Sequence, residues 1–229
     1  MPADRFYFEG VLTPNISVEG AEFHHLKVMR IAVGEEVEIV NGKGSLAKAK
    51  LIQLEKNRAH FELTDISTTP RPPYHRILGI PLLRANKLEW IIEKGTELGA
   101  DAFYIYPAEH SEKLQLSANQ LERLHHIIVS GLKQSGRLFC PTLEIFSSFK
   151  ELFATEGTIL YGDVNPTALS LLETHLTSTV LFITGPERGF SDKEEALLKE
   201  KALGVSLNPY TLRAETAPIA AISILSMRI

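Results

Sequence analysis

The apolar positions change rhythm once along the chain, and the change falls at Thr68-Thr69-Pro70-Arg71-Pro72-Pro73. Before this segment the pattern runs mostly with period two. Phe6 and Phe8 alternate with polar neighbours, Val37 and Ile39 alternate ahead of Asn41-Gly42-Lys43-Gly44, and 46–52 and 59–63 continue the alternation. Such spacing turns one face of a strand to a core and the other to water, and the Asn-Gly pair is a hairpin-type turn. One short helix is expected over 21–29. Several short strands with turn signals between them predict a small β-barrel. Clustered prolines resist helix and central strand alike, so 68–73 reads as a linker.

Beyond the linker, short apolar runs alternate with helical spacing. Strands are expected over 76–83, 102–106, 158–161, 179–183 and 204–207. A helix over 87–98 carries Leu88, Ile91, Ile92 and Leu98 on one side and stops at Gly99. Ser117 opens a longer helix with a Ser-x-x-Gln capping box, its buried face marked by Leu121, Leu124, Ile128 and Leu132. Ser191 with Glu194 forms a second capping box, starting a helix that runs to about 202. A last helix over 215–227 tolerates Pro218 because that residue lies in the first turn. Strand–helix alternation of this kind predicts an α/β fold, with a mostly parallel sheet covered on both faces.

At 229 residues the chain makes one large or two small domains, and 44% apolar residues are ample for a core. No apolar run approaches the roughly 20 residues that span a bilayer, and Met1-Pro2-Ala3-Asp4-Arg5 lacks the basic and apolar regions of a secretory signal. The single cysteine, Cys140, excludes an internal disulfide and a multi-cysteine zinc site. A reducing, cytoplasmic compartment fits. The net charge is −4, from 24 basic and 28 acidic residues. Bare nucleic acid is therefore not held by charge alone. An RNA substrate would meet a small local patch or be presented within a folded particle.

Two segments concentrate the candidate chemistry. Gly185-Pro186-Glu187-Arg188-Gly189-Phe190-Ser191 follows the apolar run Thr179-Val180-Leu181-Phe182-Ile183, and Leu207-Asn208-Pro209-Tyr210-Thr211-Leu212-Arg213-Ala214-Glu215-Thr216-Ala217 follows another. Each reads as a buried strand ending in a loop that feeds a helix, where ligands sit in open α/β sheets. The first loop is neither a Walker A motif nor a dinucleotide fingerprint, and a tight connection without a ligand is an equal reading. In the second, Glu215 suits the positive end of the last helix, whereas Arg213 needs a partner that a ligand carboxylate or RNA phosphate would supply. His24-His25 and His125-His126 point apart on helices and do not chelate one metal. Cys140 reads as a packed residue. Arg30 reads equally as an RNA contact or as ordinary surface. Gln134-Ser135-Gly136-Arg137 ends a helix with a glycine cap, leaving Arg137 to reach a ligand.

Taken in order, these segments resemble the RsmE family of SPOUT-class 16S rRNA uridine-N3 methyltransferases. The resemblance rests on Arg5-Phe6-Tyr7, on His24-His25-Leu26 through Met29-Arg30 and Gly34, and on Lys94-Gly95-Thr96-Glu97-Leu98-Gly99. Gln134-Ser135 with Arg137 and Pro141 and the two loops complete it, so it covers nearly the whole chain. It implies a PUA-like β-barrel over 1–70 that helps bind RNA. It also implies a methyltransferase domain over 75–229 whose C-terminal part is tied in a trefoil knot, and a homodimer. The implied cofactor is S-adenosyl-L-methionine, held through Thr184, Gly185, Pro186, Gly189, Leu207 and Leu212. Arg213 and Glu215 are the implied catalytic pair, and no metal is required. Arg5, Arg30, Lys113 and Arg137 are the implied RNA contacts, on 16S rRNA within the 30S subunit.

The chain departs from the family pattern at three places. Arg188 stands where Gly-Pro-Glu-Gly-Gly has its fourth residue, a costly change if that position needs a positive φ. Asn208 stands where the family has glycine, and asparagine is the best substitute in a left-handed conformation. Lys113 replaces an arginine and loses its bidentate geometry. The alternatives are a SPOUT methyltransferase acting on tRNA or 23S rRNA, and a non-catalytic RNA-binding relative.

Overall fold

The computed structural model describes residues 4–111 and 115–228 and divides them into two units. The first comprises the chain up to Arg71 together with Leu132–Cys140; the second comprises Pro72–Gly131 and the chain from Pro141 onward.

In the first unit, β1 (Arg5–Tyr7), β2 (Asn15–Glu19), β3 (Glu36–Val40), β4 (Ser45–Leu54) and β5 (Arg58–Thr68) form one sheet in the order β1-β3-β4-β5-β2. Among the described residues, β1 and β3 pair in parallel and the other pairs of this sheet are antiparallel. Alternate residues of the strands meet in a core containing Phe6, Val18, Ile39, Leu51 and Phe61, with Leu26 added by helix α1 (Gly20–Met29). Asn41 fixes the turn between β3 and β4: its Oδ1 accepts from the amides of Lys43 and Ser45, at 2.9 and 3.0 Å. Segment 132–140 joins this unit through main-chain bonds from Cys140 N to Gly42 O and from Gly44 N to Leu138 O, at 2.8 and 2.9 Å. The period-two reading missed β2. Only Ile16 and Val18 carry the alternation there, too short a run to stand out before α1.

The second unit is a seven-stranded sheet whose recorded pairings are all parallel. Its strands are β6 (His75–Pro81), β7 (Ala102–Tyr106), β8 (Thr142–Ile145), β9 (Thr158–Gly162), β10 (Leu169–Ser170), β11 (Thr179–Ile183) and β12 (Leu203–Ser206), in the order β10-β12-β9-β11-β6-β7-β8. Val180 to Ile183 are fully buried, as a parallel strand covered on both faces requires. The helices are α2 (Ala85–Glu97), α3 (Ala118–Ser135), α4 (Asp192–Lys201) and α5 (Thr216–Arg228). Both capping boxes form. Ser117 and Gln120 exchange side-chain and main-chain bonds at the start of α3, and Ser191 and Glu194 do so at the start of α4. Among the described residues no helix is long and apolar enough to cross a membrane.

The strand order brings distant parts of the chain to one place. From β9 the chain runs out to the edge strand β10, returns to β11 on the other side of β9, and ends at β12 between β10 and β9. The C-terminal ends of β12, β9 and β11 therefore lie side by side, where the direction of winding reverses. Loops leaving such a point part and open a crevice.

Candidate active site

Three loops line that crevice: 163–168 after β9, 184–190 after β11 and 207–215 after β12. Its volume is about 900 Å³, within the range of sites that enclose a small molecule. The sequence-predicted residues Thr184, Gly185, Pro186, Gly189, Leu207, Leu212, Arg213 and Glu215 all line it, although the two loops that carry them start from different strands.

The loop after β11 is held from below and from the side. The buried Tyr106 hydroxyl donates to the Thr184 carbonyl at 2.5 Å, and burial raises that phenol well above its usual range, so it remains a donor. Gly189 N donates to Pro186 O at 2.9 Å, closing a four-residue turn. His110 Nδ1 lies 3.0 Å from the Gly189 carbonyl, an acceptor only, which assigns that nitrogen the proton. Gly189 has φ +76°, a conformation open to glycine at no steric cost.

The structure corrects two expectations about this loop and its neighbour. Arg188 does not have positive φ. The Pro186–Gly189 turn is thus not of type II, whose third position demands glycine, and Arg188 carries no backbone strain. Asn208 does not have positive φ either. It earns its place by side-chain bonding, with Oδ1 accepting from Tyr210 N at 3.0 Å in an Asx turn.

Arg213 starts α5 with its main chain, since its carbonyl accepts from Thr216 N and Ala217 N at 2.9 and 3.0 Å. Its guanidinium is exposed in the cleft and makes no ion pair among the described residues. Glu215 is mostly buried. Lys87, from the first turn of α2, places its ammonium 2.9 Å from Glu215 Oε2 and 3.0 Å from Glu187 Oε1. Burial pushes the Glu215 carboxyl up, but the Lys87 contact, a backbone hydrogen bond and the charges of Lys87 and Arg213 outweigh it and hold the group below the usual carboxylate range. These contacts favour the charged form of Glu215.

The expected RNA contacts are not equivalent. Arg5 points its Nε and Nη2 at Glu38 Oε2, at 2.9 and 2.6 Å, with its side chain only 10% exposed. This is a structural ion pair, not a surface cation. Arg137, half-buried beyond the Gly136 cap, also interacts within the protein. Arg30 is exposed and caps α1 at φ 58°. Lys113 lies outside the described residues. Sequence reasoning missed Lys87, Asp163 and Tyr210, all of which line the cleft. Tyr210 is 80% exposed, which the sequence does not show; what the sequence offered was an aromatic within the loop that carries Arg213 and Glu215.

The chain matches an RNA methyltransferase domain over residues 70–226 and an RNA methyltransferase PUA domain over residues 18–64. It is 30% identical to the ribosomal RNA small subunit methyltransferase E of Bacillus subtilis, over 93% of this chain and 90% of that protein. The ribosomal RNA small subunit methyltransferase E of Neisseria gonorrhoeae, solved bound to S-adenosyl methionine, superposes with a TM-score of 0.89 at 29% identity, covering 98% of this chain and 97% of that one. A putative methyltransferase from Legionella pneumophila shares the fold at 23% identity, with a TM-score of 0.90 over 99% and 98% of the two chains.

Proposed function

Because the chain belongs to the RNA methyltransferase family, and to its ribosomal RNA small subunit methyltransferase E (RsmE) branch, we propose that it methylates N3 of a uridine in 16S rRNA with S-adenosylmethionine as donor. The observation that carries this reading is the single cleft shared by the Gly185–Gly189 turn, Arg213 and Glu215.

The residues present fit the cofactor. Residues of both loops line one cavity, and among them Pro186, Leu207 and Leu212 supply apolar walls suited to a flat ring. When bound, S-adenosylmethionine supplies a methyl group already activated on a sulfonium. The protein's task is then to bind, orient and stabilise charge. N3 of uridine must lose its proton, and the resulting charge spreads onto O2 and O4. Arg213, on the wall of the cleft, is the cation positioned to receive that charge. Glu215 and Lys87 hold the start of α5 and so place Arg213. The target base must leave any stack or pair, and the exposed face of Tyr210 is a platform on which an unstacked base can rest. The C-terminal trefoil knot, the homodimer and the division into barrel and catalytic domain belong to the same proposal.

Mass spectrometry of rRNA from cells with and without the protein tests this reading. Loss of one 3-methyluridine from 16S rRNA supports it; an unchanged 16S rRNA alongside a lost methyl group in tRNA or 23S rRNA would transfer it to another substrate.

Charge sets a further expectation. At a net charge of −4, with Arg5 committed to Glu38, few cations remain to neutralise phosphates. Intact 30S subunits are expected to be methylated at least about tenfold faster than deproteinised 16S rRNA at near-physiological salt, because a folded particle adds shape complementarity to weak charge attraction. Equal or faster turnover on naked RNA would refute this. Arg30→Ala keeps a side chain with the same left-handed backbone cost. It is expected to raise KM for the particle while leaving single-turnover chemistry at saturation unchanged.

A further inference from the structure

A cation in the first turn of a helix opposes the macrodipole. Helix α2 nevertheless carries Lys87 there, with Arg84 at its N-cap position and no acidic residue in its first turn. The compensating charge comes from elsewhere in the chain. Glu187, in the turn after β11, and Glu215, at the start of α5, approach the same ammonium from the two loops that form opposite parts of the cleft. Lys87 itself is 24% exposed and lines the cavity. One side chain thus bridges the two loops that would hold the donor, next to the residue that would stabilise the transition state.

We infer that Lys87 is a positioning residue: its ammonium, shared between Glu187 and Glu215, ties the two cleft loops together and thereby fixes where the Arg213 guanidinium stands. This rests on the methyltransferase reading above. The tie has two unequal halves. The Glu215 half is the more enclosed, with Glu215 18% and Glu187 39% exposed, so it is the less screened of the two. The charged groups facing Glu215 are Lys87 and Arg213; those facing Lys87 are Glu215 and Glu187. Both partners shift in the direction an ion pair demands, Lys87 upward from its contacts with Glu215 and then Glu187, and Glu215 downward despite burial. A depressed carboxylate contributes its stabilisation above its unfolded-state pKa and loses it as pH falls through the folded value. The tie therefore holds at neutral pH and releases on the acid side.

The test is a double-mutant cycle on the full-length protein with Lys87→Met, Glu215→Gln and the pair combined, alongside Lys87→Arg and Glu187→Gln. Three quantities are read: the Glu215 carboxyl titration by carbon NMR in the protein alone, S-adenosylmethionine affinity by calorimetry, and single-turnover methylation of 30S subunits against pH. In Lys87→Met the Glu215 titration is expected to move to higher pH, affinity to fall about tenfold and the rate to fall further. The acid limb of the rate profile should move up in pH. The combined variant should lose no more than the worse single variant, because both break one interaction. Lys87→Arg should recover most of the affinity, and Glu187→Gln should fall between wild type and Lys87→Met. Multiplicative losses in the cycle, or an unmoved Glu215 titration in Lys87→Met, would overturn the proposal. The NMR readout needs neither donor nor RNA. Failure of the wild-type protein to bind S-adenosylmethionine or to methylate rRNA would thus sink the functional reading separately.

Discussion

Arg213→Ala is expected to slow single-turnover methylation by about 10²–10³-fold, the usual cost of removing one preorganised donor from a developing negative charge. S-adenosylmethionine affinity should change by less than about threefold, because an interaction made in the transition state is nearly absent from the ground state. The structure makes this separation clean. Arg213 begins α5 through its carbonyl, which accepts from Thr216 N and Ala217 N. Alanine keeps that main-chain cap. The guanidinium itself is exposed in the cleft and makes no ion pair among the described residues, so truncation leaves no buried charge without a partner. Arg213→Lys should recover part of the rate, since it keeps the charge but loses the planar fork that can span two acceptor oxygens of a base. The assay is methylation of 30S subunits at saturating donor, with calorimetry of donor binding on the same preparations. Proportional loss of rate and affinity would place Arg213 on the donor instead of the uridine.

What could be read from the sequence was local. The box of Ser191 with Glu194 and the box of Ser117 with Gln120 each lie within four residues, and both form as expected. The apolar run Thr179–Ile183 is a strand over its expected length because a strand buried on both faces needs no alternation to be recognised. Edge strands gave no such signal. β10 has two residues and β8 is largely exposed, so neither has an apolar face long enough to detect. Pairings across long separations were likewise hidden. Nothing near Lys87 announces that Glu187, 100 residues on, and Glu215 converge on it. Nothing near Arg5 announces that Glu38 will occupy it. The strand order that joins the two loops is also non-local, although each loop was recognisable from its strand–loop–helix setting. Backbone conformation was the least accessible. Arg188 and Asn208, the two positions judged by φ, turn without left-handed geometry, whereas Gly189 adopts it.

Gly189→Val is expected to abolish measurable S-adenosylmethionine binding while leaving the N-terminal barrel folded. The loss would come from the backbone and not from a clash: a Cβ built on Gly189 meets nothing within 4 Å, but φ is +76°. A left-handed conformation costs an ordinary residue about 1–2 kcal/mol, and a β-branched one is a genuine outlier there. Valine therefore drives the turn to another conformation. That breaks the bond from Gly189 N to Pro186 O and swings away the carbonyl that faces His110. The residues of this turn that line the cleft, Gly185, Pro186, Glu187 and Gly189, are then displaced from the geometry that shapes it. Two substitutions separate geometry from bulk. Gly189→Asn adds more atoms than alanine but tolerates the left-handed region, so it should keep more affinity than Gly189→Ala, the reverse of the order steric crowding would give. Calorimetry measures the binding, and hydrogen exchange of β3, β4 and β5 reports the barrel. Unchanged affinity in Gly189→Val would mean that the donor does not rely on this turn, and would move the proposed binding site off the loop after β11.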